Sequence, residues 1–334
     1  MLAAQLVANR AELEARPLAR ATKPRLTMTA KRQLLLLCSL LASSYWCFAD
    51  GSGSTYVGAV AQHSTFVAAG MSPTELLAEN LKLYEGLAAM AARNGVQILV
   101  FPEFGLTAVS DTSRASLYPF AQPLPEADGT IVPCSDAAFQ STDNTILRTV
   151  SCMASLNKIA LLVNTIDSIA CDKAANKDCP ADGRFLYNTD IVLDETGALV
   201  AKYHKSHEWP TLKPPYDQAP EPSQVTFKPS WGPEFGIFTC FDIAFSNPAV
   251  ELARQGVSHF LYPVAQGKLG KHTIQPAWSW RYGATLLASN LGKDCSSVLQ
   301  AGKQLPTKQL YLRDENGSSA ASSDDSILIS NISY

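Results

Sequence analysis

The sequence predicts an α/β layered fold built on a mixed β-sheet. Apolar runs of strand length alternate with segments of helical periodicity, and several of those runs lack the polar alternation of a half-exposed strand. One pair of strand-like runs is joined by a tight turn, which adds an antiparallel hairpin to the pattern. With 334 residues, 46% of them hydrophobic and 17% charged, the chain can bury a sizeable core, and no solenoid repeat is present.

"YVGAVAQHSTF" reads as the first strand. The helix after it opens on Ser72 and Glu75, spaced as a capping box, with Pro73 at the first helical position and Asn94-Gly95 as the stop. Leu77, Leu81, Tyr84, Ala88 and Ala91 recur at helical spacing and give that helix a face to bury. "VQILVF" is a strand covered on both faces that delivers "PEFG" at its C-terminal end, where open α/β sheets place their chemistry. Residues 110–143, rich in Pro, Asp and Ser, read as an irregular region that roofs a pocket. A helix over 144–157 leads to the strand "IALLVNT", and "FLYNTDIVLDETGALVAKYHK" reads as a hairpin turning at 194–197. The Pro-rich loop "WPTLKPPYDQAPEPS" precedes a strand "FGIFT" that ends at Cys240. "NPAVELARQG" is a helix with Asn247 as N-cap, Pro248 at N1 and Gly256 as stop. Strand "VSHFLYPV", a helix around "IQPAWSWRYG", and the strands "TLLASN", "LYLRD" and "SILISNIS" complete the order.

A net charge of −3 with no basic run leaves no footprint for a nucleic-acid backbone, so nucleic acid is excluded as a partner. Lys31 and Arg32 precede the apolar run "LLLLCSLLASSYWCF", the pattern of a signal peptide cleaved after Ala49. From Leu34 to Ala49 the run has 16 residues, three of them serine, where a spanning helix wants about 20 apolar ones. Residues 1–49 are therefore read as leader and signal peptide, with translation starting at Met28 or Met1. A secreted protein follows, with membrane association left open. "NGS" at Asn316 and "NIS" at Asn331 are then glycosylation acceptors.

Of eight cysteines, Cys38 and Cys47 leave with the signal peptide. In an oxidising compartment Cys171 and Cys179 close a local loop, and Cys134 with Cys152 is the next pair, which leaves Cys240 and Cys295. Three chemically capable side chains stand at strand ends: Glu103, Lys205 and Cys240. Singly each has a bland reading, as loop carboxylate, surface charge and core thiol; their joint placement favours a common site. Side chains alternate along a strand, so Lys202 and Lys205 face opposite ways and only one can enter it. A Cys-His pair through His204 or His207 is arithmetically open but lacks its local signature. The five histidines form no metal-ligand cluster, and nucleotide-loop, serine-elbow and zinc-helix motifs are missing.

"LVFPEFG", "LVAKYHK" and "FGIFTCFDIAFSNPAVEL", in this order, resemble the carbon-nitrogen hydrolase (nitrilase) superfamily. "CPADGRFLYNTDIVLDETGALVAKYHK", "FGIFTCFDI" and "LLASN" are similar to its vanin (pantetheinase) and biotinidase branch. The resemblance implies a four-layer αββα sandwich over residues 50–334, with no vanin-type C-terminal domain following. It implies Glu103 as general base, Lys205 as stabilising ammonium and Cys240 as nucleophile, without metal or cofactor. The implied partner is a small-molecule linear amide, pantetheine before a biotinyl amide, and a homo-oligomer is left open. A carboxylate that takes the thiol's proton and a neighbouring ammonium would together favour the reactive thiolate. Three departures from the branch stand out: Phe104 where an acidic residue is usual, "SHEWPTLKPP" after Lys205, and "PVAQ" where "PTAW" is usual. Glu208 and Glu221 are both candidates for a second active-site glutamate. The competing reading is a catalytically silent binding protein on the same fold, or an amidase of other specificity.

Overall fold

The computed structural model describes residues 53–107, 113–140, 144–210, 215–313 and 325–334. The leader expected over 1–49 and the acceptor Asn316 lie outside the described residues. The chain runs β1 (Thr55–Gln62), α1 (Pro73–Arg93), β2 (Ile98–Val100), β3 (Ala121–Gln122), α2 (Thr145–Asn157), β4 (Ala160–Ala170), β5 (Arg184–Leu193) and β6 (Leu199–His204). It continues through β7 (Val225–Phe227), β8 (Phe235–Ile237), α3 (Glu251–Arg254), β9 (His259–Val264), α4 (Gly267–His272), α5 (Ile274–Tyr282) and β10 (Thr285–Asn290). β11 (Ser297–Gln300), β12 (Lys303–Gln304), β13 (Lys308–Tyr311) and β14 (Ser326–Ser333) close it.

Two mixed sheets result. The first follows the order β13-β14-β1-β2-β4-β5-β6 with β3 beside β4, and the second the order β12-β11-β10-β9-β8-β7. β1-β2-β4 and β8-β9-β10 run parallel, and the hairpin β5-β6 is antiparallel, with Asp190 opposite Tyr203. Strand parity sorts the apolar residues into three cores. Ala59, Leu99, Leu161 and Ile191 face α1 and α2. Val60, Ile98, Val100, Leu162 and Val192 face Phe235, Ile237, Leu261 and Leu287 of the second sheet. The outer face of the second sheet, through Phe260, Tyr262 and Leu286, packs on Leu252 and Trp278 of α3 and α5. Three cores between four layers are the expected αββα sandwich.

The Ser72 cap falls where the residues placed it, whereas Asn247 makes no side-chain cap bond and instead bonds the Gln224 amide and the Pro222 carbonyl. Ser72 Oγ accepts from Glu75 N–H while Glu75 accepts from Ser72 N–H, and Leu77, Leu81, Tyr84, Ala88 and Ala91 are buried. Such a cap is worth about 1 kcal/mol. Asn247 is extended before α3, and the bond to Pro248 is cis. Three expectations need correction. β1 stops at Gln62, because His63 leaves the ladder to bond Asp325 and the Gly105 carbonyl. β8 stops at Ile237, because Thr239 and Cys240 start a 3₁₀ turn over Cys240–Ala244. The 110–143 stretch holds a 3₁₀ helix, Arg114–Phe120, and Tyr118–Gln122 line a cavity of about 550 Å³ against α1 and α2 rather than the one containing Cys240.

Both expected bridges are present, Cys134–Cys152 and Cys171–Cys179, while Cys240 and Cys295 are free thiols. A Cys240–Cys295 bridge is thereby excluded. Among the described residues no helix is long and apolar enough to cross a membrane.

Candidate active site

The three expected residues converge. Glu103 follows β2, Lys205 follows β6, and Cys240 follows β8, so the first sheet supplies the acid and the ammonium and the second supplies the thiol. Lys205 Nζ donates to Glu103 Oε1 at 2.7 Å, and the two side chains are 2% and 1% exposed. Charges buried this deeply persist only when paired. Parity decides the lysine: Ala201 and Tyr203 face the second sheet and Lys205 continues that face, while Lys202 lies on the other face beside Glu126 and Asp167. His204 shares that outer face and bonds Asp167 at 2.8 Å. His207 gives both its backbone N–H and its Nδ1 to Asp242, so neither histidine pairs with the thiol.

Of the two candidate glutamates, the structure brings Glu208 to the site. Glu208 Oε2 is 3.5 Å from Lys205 Nζ, whereas Glu221 is exposed. Burial pushes the Glu208 carboxyl up to about 7 against the pull of Lys205. Burial would lower the lysine, but Glu103 and Glu208 outweigh it and hold Lys205 well above the usual range, so it is an ammonium. Burial, reinforced by the charge of Glu103, pushes the Cys240 thiol up, and Lys205 only partly opposes this. The resting group is therefore a thiol, where the sequence had suggested a stabilised thiolate.

Backbone conformation aims both reactive loops. Phe104, next to the acid, has φ +61° and Cys240 has φ +45°, left-handed values that non-glycine residues seldom adopt. Phe104 N–H is tied to Asn164 Oδ1, and the Cys240 carbonyl accepts from Tyr262 Oη at 2.8 Å. Asp242 locks the turn by accepting from Thr239 N–H and Tyr203 Oη. A cavity of about 330 Å³ opens over the site, walled by Phe104, Trp209, Ala265, Gln266, Gly270 and Ile274 around Glu103 and Cys240. Trp209 stands edge-on to Phe241 at 4.8 Å and Phe104 stacks on Tyr216. Phe104, Trp209 and Gln266 all come from the three stretches that depart from the branch pattern, so the departures gather on the cavity wall.

Residues 59–289 match the carbon-nitrogen hydrolase family, and the chain belongs to that family. It is 35% identical over 285 residues to Bos taurus pantetheinase, covering 81% of this chain and 54% of that protein. It is 33% identical over 277 residues to Takifugu rubripes biotinidase, covering 79% of this chain and again 54% of the relative. The chain thus spans about half the length of the curated relatives it matches. An amidase from Nesterenkonia sp. superposes with a TM-score of 0.56 over 84% of this chain and 91% of its own, at 19% identity, a likeness of fold.

Proposed function

We propose that the chain is an amidohydrolase that cleaves a linear amide C–N bond through a thioester on Cys240. One observation carries the reading: a buried carboxylate, ammonium and thiol meet at three strand ends beneath an apolar cavity. Glu103 takes the thiol proton as sulfur attacks the amide carbon. The Lys205 ammonium and the backbone N–H of Phe241 receive the developing oxyanion. Collapse breaks the C–N bond, and the amine leaves with the proton held by Glu103. Water, activated by the same carboxylate, then hydrolyses the thioester to acid and free thiol. Glu208 completes the site by sharing the charge of Lys205.

Pantetheine is the first substrate to try and a biotinyl amide the second, because the relatives carry those names. The reading includes removal of residues 1–49 and export. Purified protein is expected to release cysteamine from pantetheine, and Cys240→Ala is expected to fold yet release none. Cleavage of other amides but neither of these would remove the substrate assignment and keep the reaction class. Hydrolysis retained in Cys240→Ala would end the mechanism.

A further inference from the structure

Beneath Glu103 lies a row of buried polar side chains that the chemistry above does not use. Asn164 on β4 and Asn188 and Asp190 on β5 are each 2% exposed or less, and Asn164 sits opposite Asp190 in the ladder. By parity they continue the inter-sheet face of Leu162 and Val192, so the apolar core turns polar directly below the site.

Their bonds admit one arrangement. Phe104 N–H donates to Asn164 Oδ1, which turns the Asn164 amide nitrogen toward Asn188 Oδ1 and Asp190 Oδ1, each at 2.8 Å. With its oxygen taken, Asn188 presents Nδ2 to Glu103 Oε1 at 2.9 Å. Asp190 Oδ2 accepts from the hydroxyl of Thr239, the residue before Cys240. Glu103 Oε1 therefore receives two donors, Lys205 and Asn188, while Oε2 is buried and accepts no hydrogen bond. The oxygen without donors is the one free to take a proton.

We propose that Asn188 is a positioning residue that fixes the Glu103 carboxylate so that Oε2 faces the thiol, and that Asn164 and Asp190 hold Asn188 in that orientation. This rests on Glu103 acting as the base. The same row reaches Cys240 through Thr239, which joins the base loop to the nucleophile turn across the two sheets.

The test compares wild type, Asn188→Leu, Glu103→Gln and the double variant at pH 8, above the values near 7 to which Asp190 and Glu208 are pushed. Amide hydrolysis gives kcat and KM, and alkylation by iodoacetamide reports Cys240 without any substrate. Loss of one hydrogen bond to a charged group is expected to lower kcat roughly 10- to 100-fold with KM within about twofold. Asn188→Leu is expected to slow alkylation in the wild-type background and to have no added effect with Glu103→Gln. A rise in KM at unchanged kcat, or equal slowing in both backgrounds, would overturn the assignment. If Asn188→Leu fails to fold, Asn188→Asp replaces the donor with an acceptor at equal size, and wild-type kcat in that variant would also overturn it. A wild type that alkylates at Cys240 but cleaves no amide strikes the functional reading, and the alkylation comparison then decides this one alone. A wild type that does neither removes both.

Discussion

Replacing Lys205 with methionine keeps an unbranched side chain one atom shorter and removes the cation that Glu103 and Glu208 share. The ammonium lies 2.7 Å from one carboxylate and 3.5 Å from the other. At an effective dielectric near 20 these contacts are worth about 6 and 5 kcal/mol before desolvation is subtracted. Most of that gross attraction offsets the cost of burying the charges, and breaking such a pair from one side is expected to cost about 3–5 kcal/mol. The loss depends on pH in a definite direction. A carboxyl whose pKa is raised by folding destabilises the fold above its ordinary value, and falling pH relieves it. Glu208 is already pushed up to about 7 with the ammonium in place and rises further without it. Lys205→Met should therefore lose most stability at pH 8 and distinctly less at pH 5. Urea unfolding at both values measures this, read as the shift in midpoint at constant slope. A variant as stable as wild type at pH 8, or equally weakened at both pH values, would refute the buried-pair account.

Two further outcomes follow from particular contacts. Gly105 stands where a Cβ would come within 2.1 Å of Tyr84 Oη, and Tyr84 is itself stacked on Phe101. Gly105→Ala should cost about 1–3 kcal/mol and lower hydrolysis by moving the loop that carries Glu103; melting and activity both unchanged would contradict this. His259 is buried between the sheets, accepts from Tyr56 Oη at Nδ1, and is pushed by burial down to about 4. A base with a depressed folded pKa gives stability that is present above its ordinary value near 6.5 and lost as pH falls toward 4, up to about 3 kcal/mol. His259→Phe should flatten that acid limb, and coincident limbs for the two proteins would exclude His259 as its source.

Much of the arrangement was legible in the residues. The Ser72-Glu75-Pro73 cap, the turn at 194–197 and the parity of Lys202 against Lys205 are local rules, and each held because nothing tertiary opposed it. The difference between Glu208 and Glu221 was not legible, since neither lies in a regular strand and only the three-dimensional approach of Glu208 to Lys205 separates them. Asn164, Asn188 and Asp190 were hidden for another reason. They sit in strands otherwise read as apolar, and the one signal was that "VNT" and "YNTD" place polar residues on a face that should be buried. β7 and β11, of three and four residues, are too short to show a period, and only pairing with longer neighbours defines them. The left-handed backbone at Phe104 and Cys240 violates local preference, as expected where tertiary contacts impose the conformation.

The division of the site between the sheets makes it a product of assembly. Strands β1 to β6 carry Glu103, Lys205 and the polar row beneath them, while the neighbourhood of β7 to β12 carries Cys240. A chain severed between β6 and β7 would leave Glu103 and Lys205 in one piece and Cys240 in the other. The last strand, β14, returns to pair with β1 along its whole length, from Thr55 opposite Ser333 to Gln62 opposite Ser326. That return places the last described strand beside the first, inside the sheet that carries Glu103 and Lys205. The three side chains therefore come together only when both sheets are packed face to face, whichever pairs first.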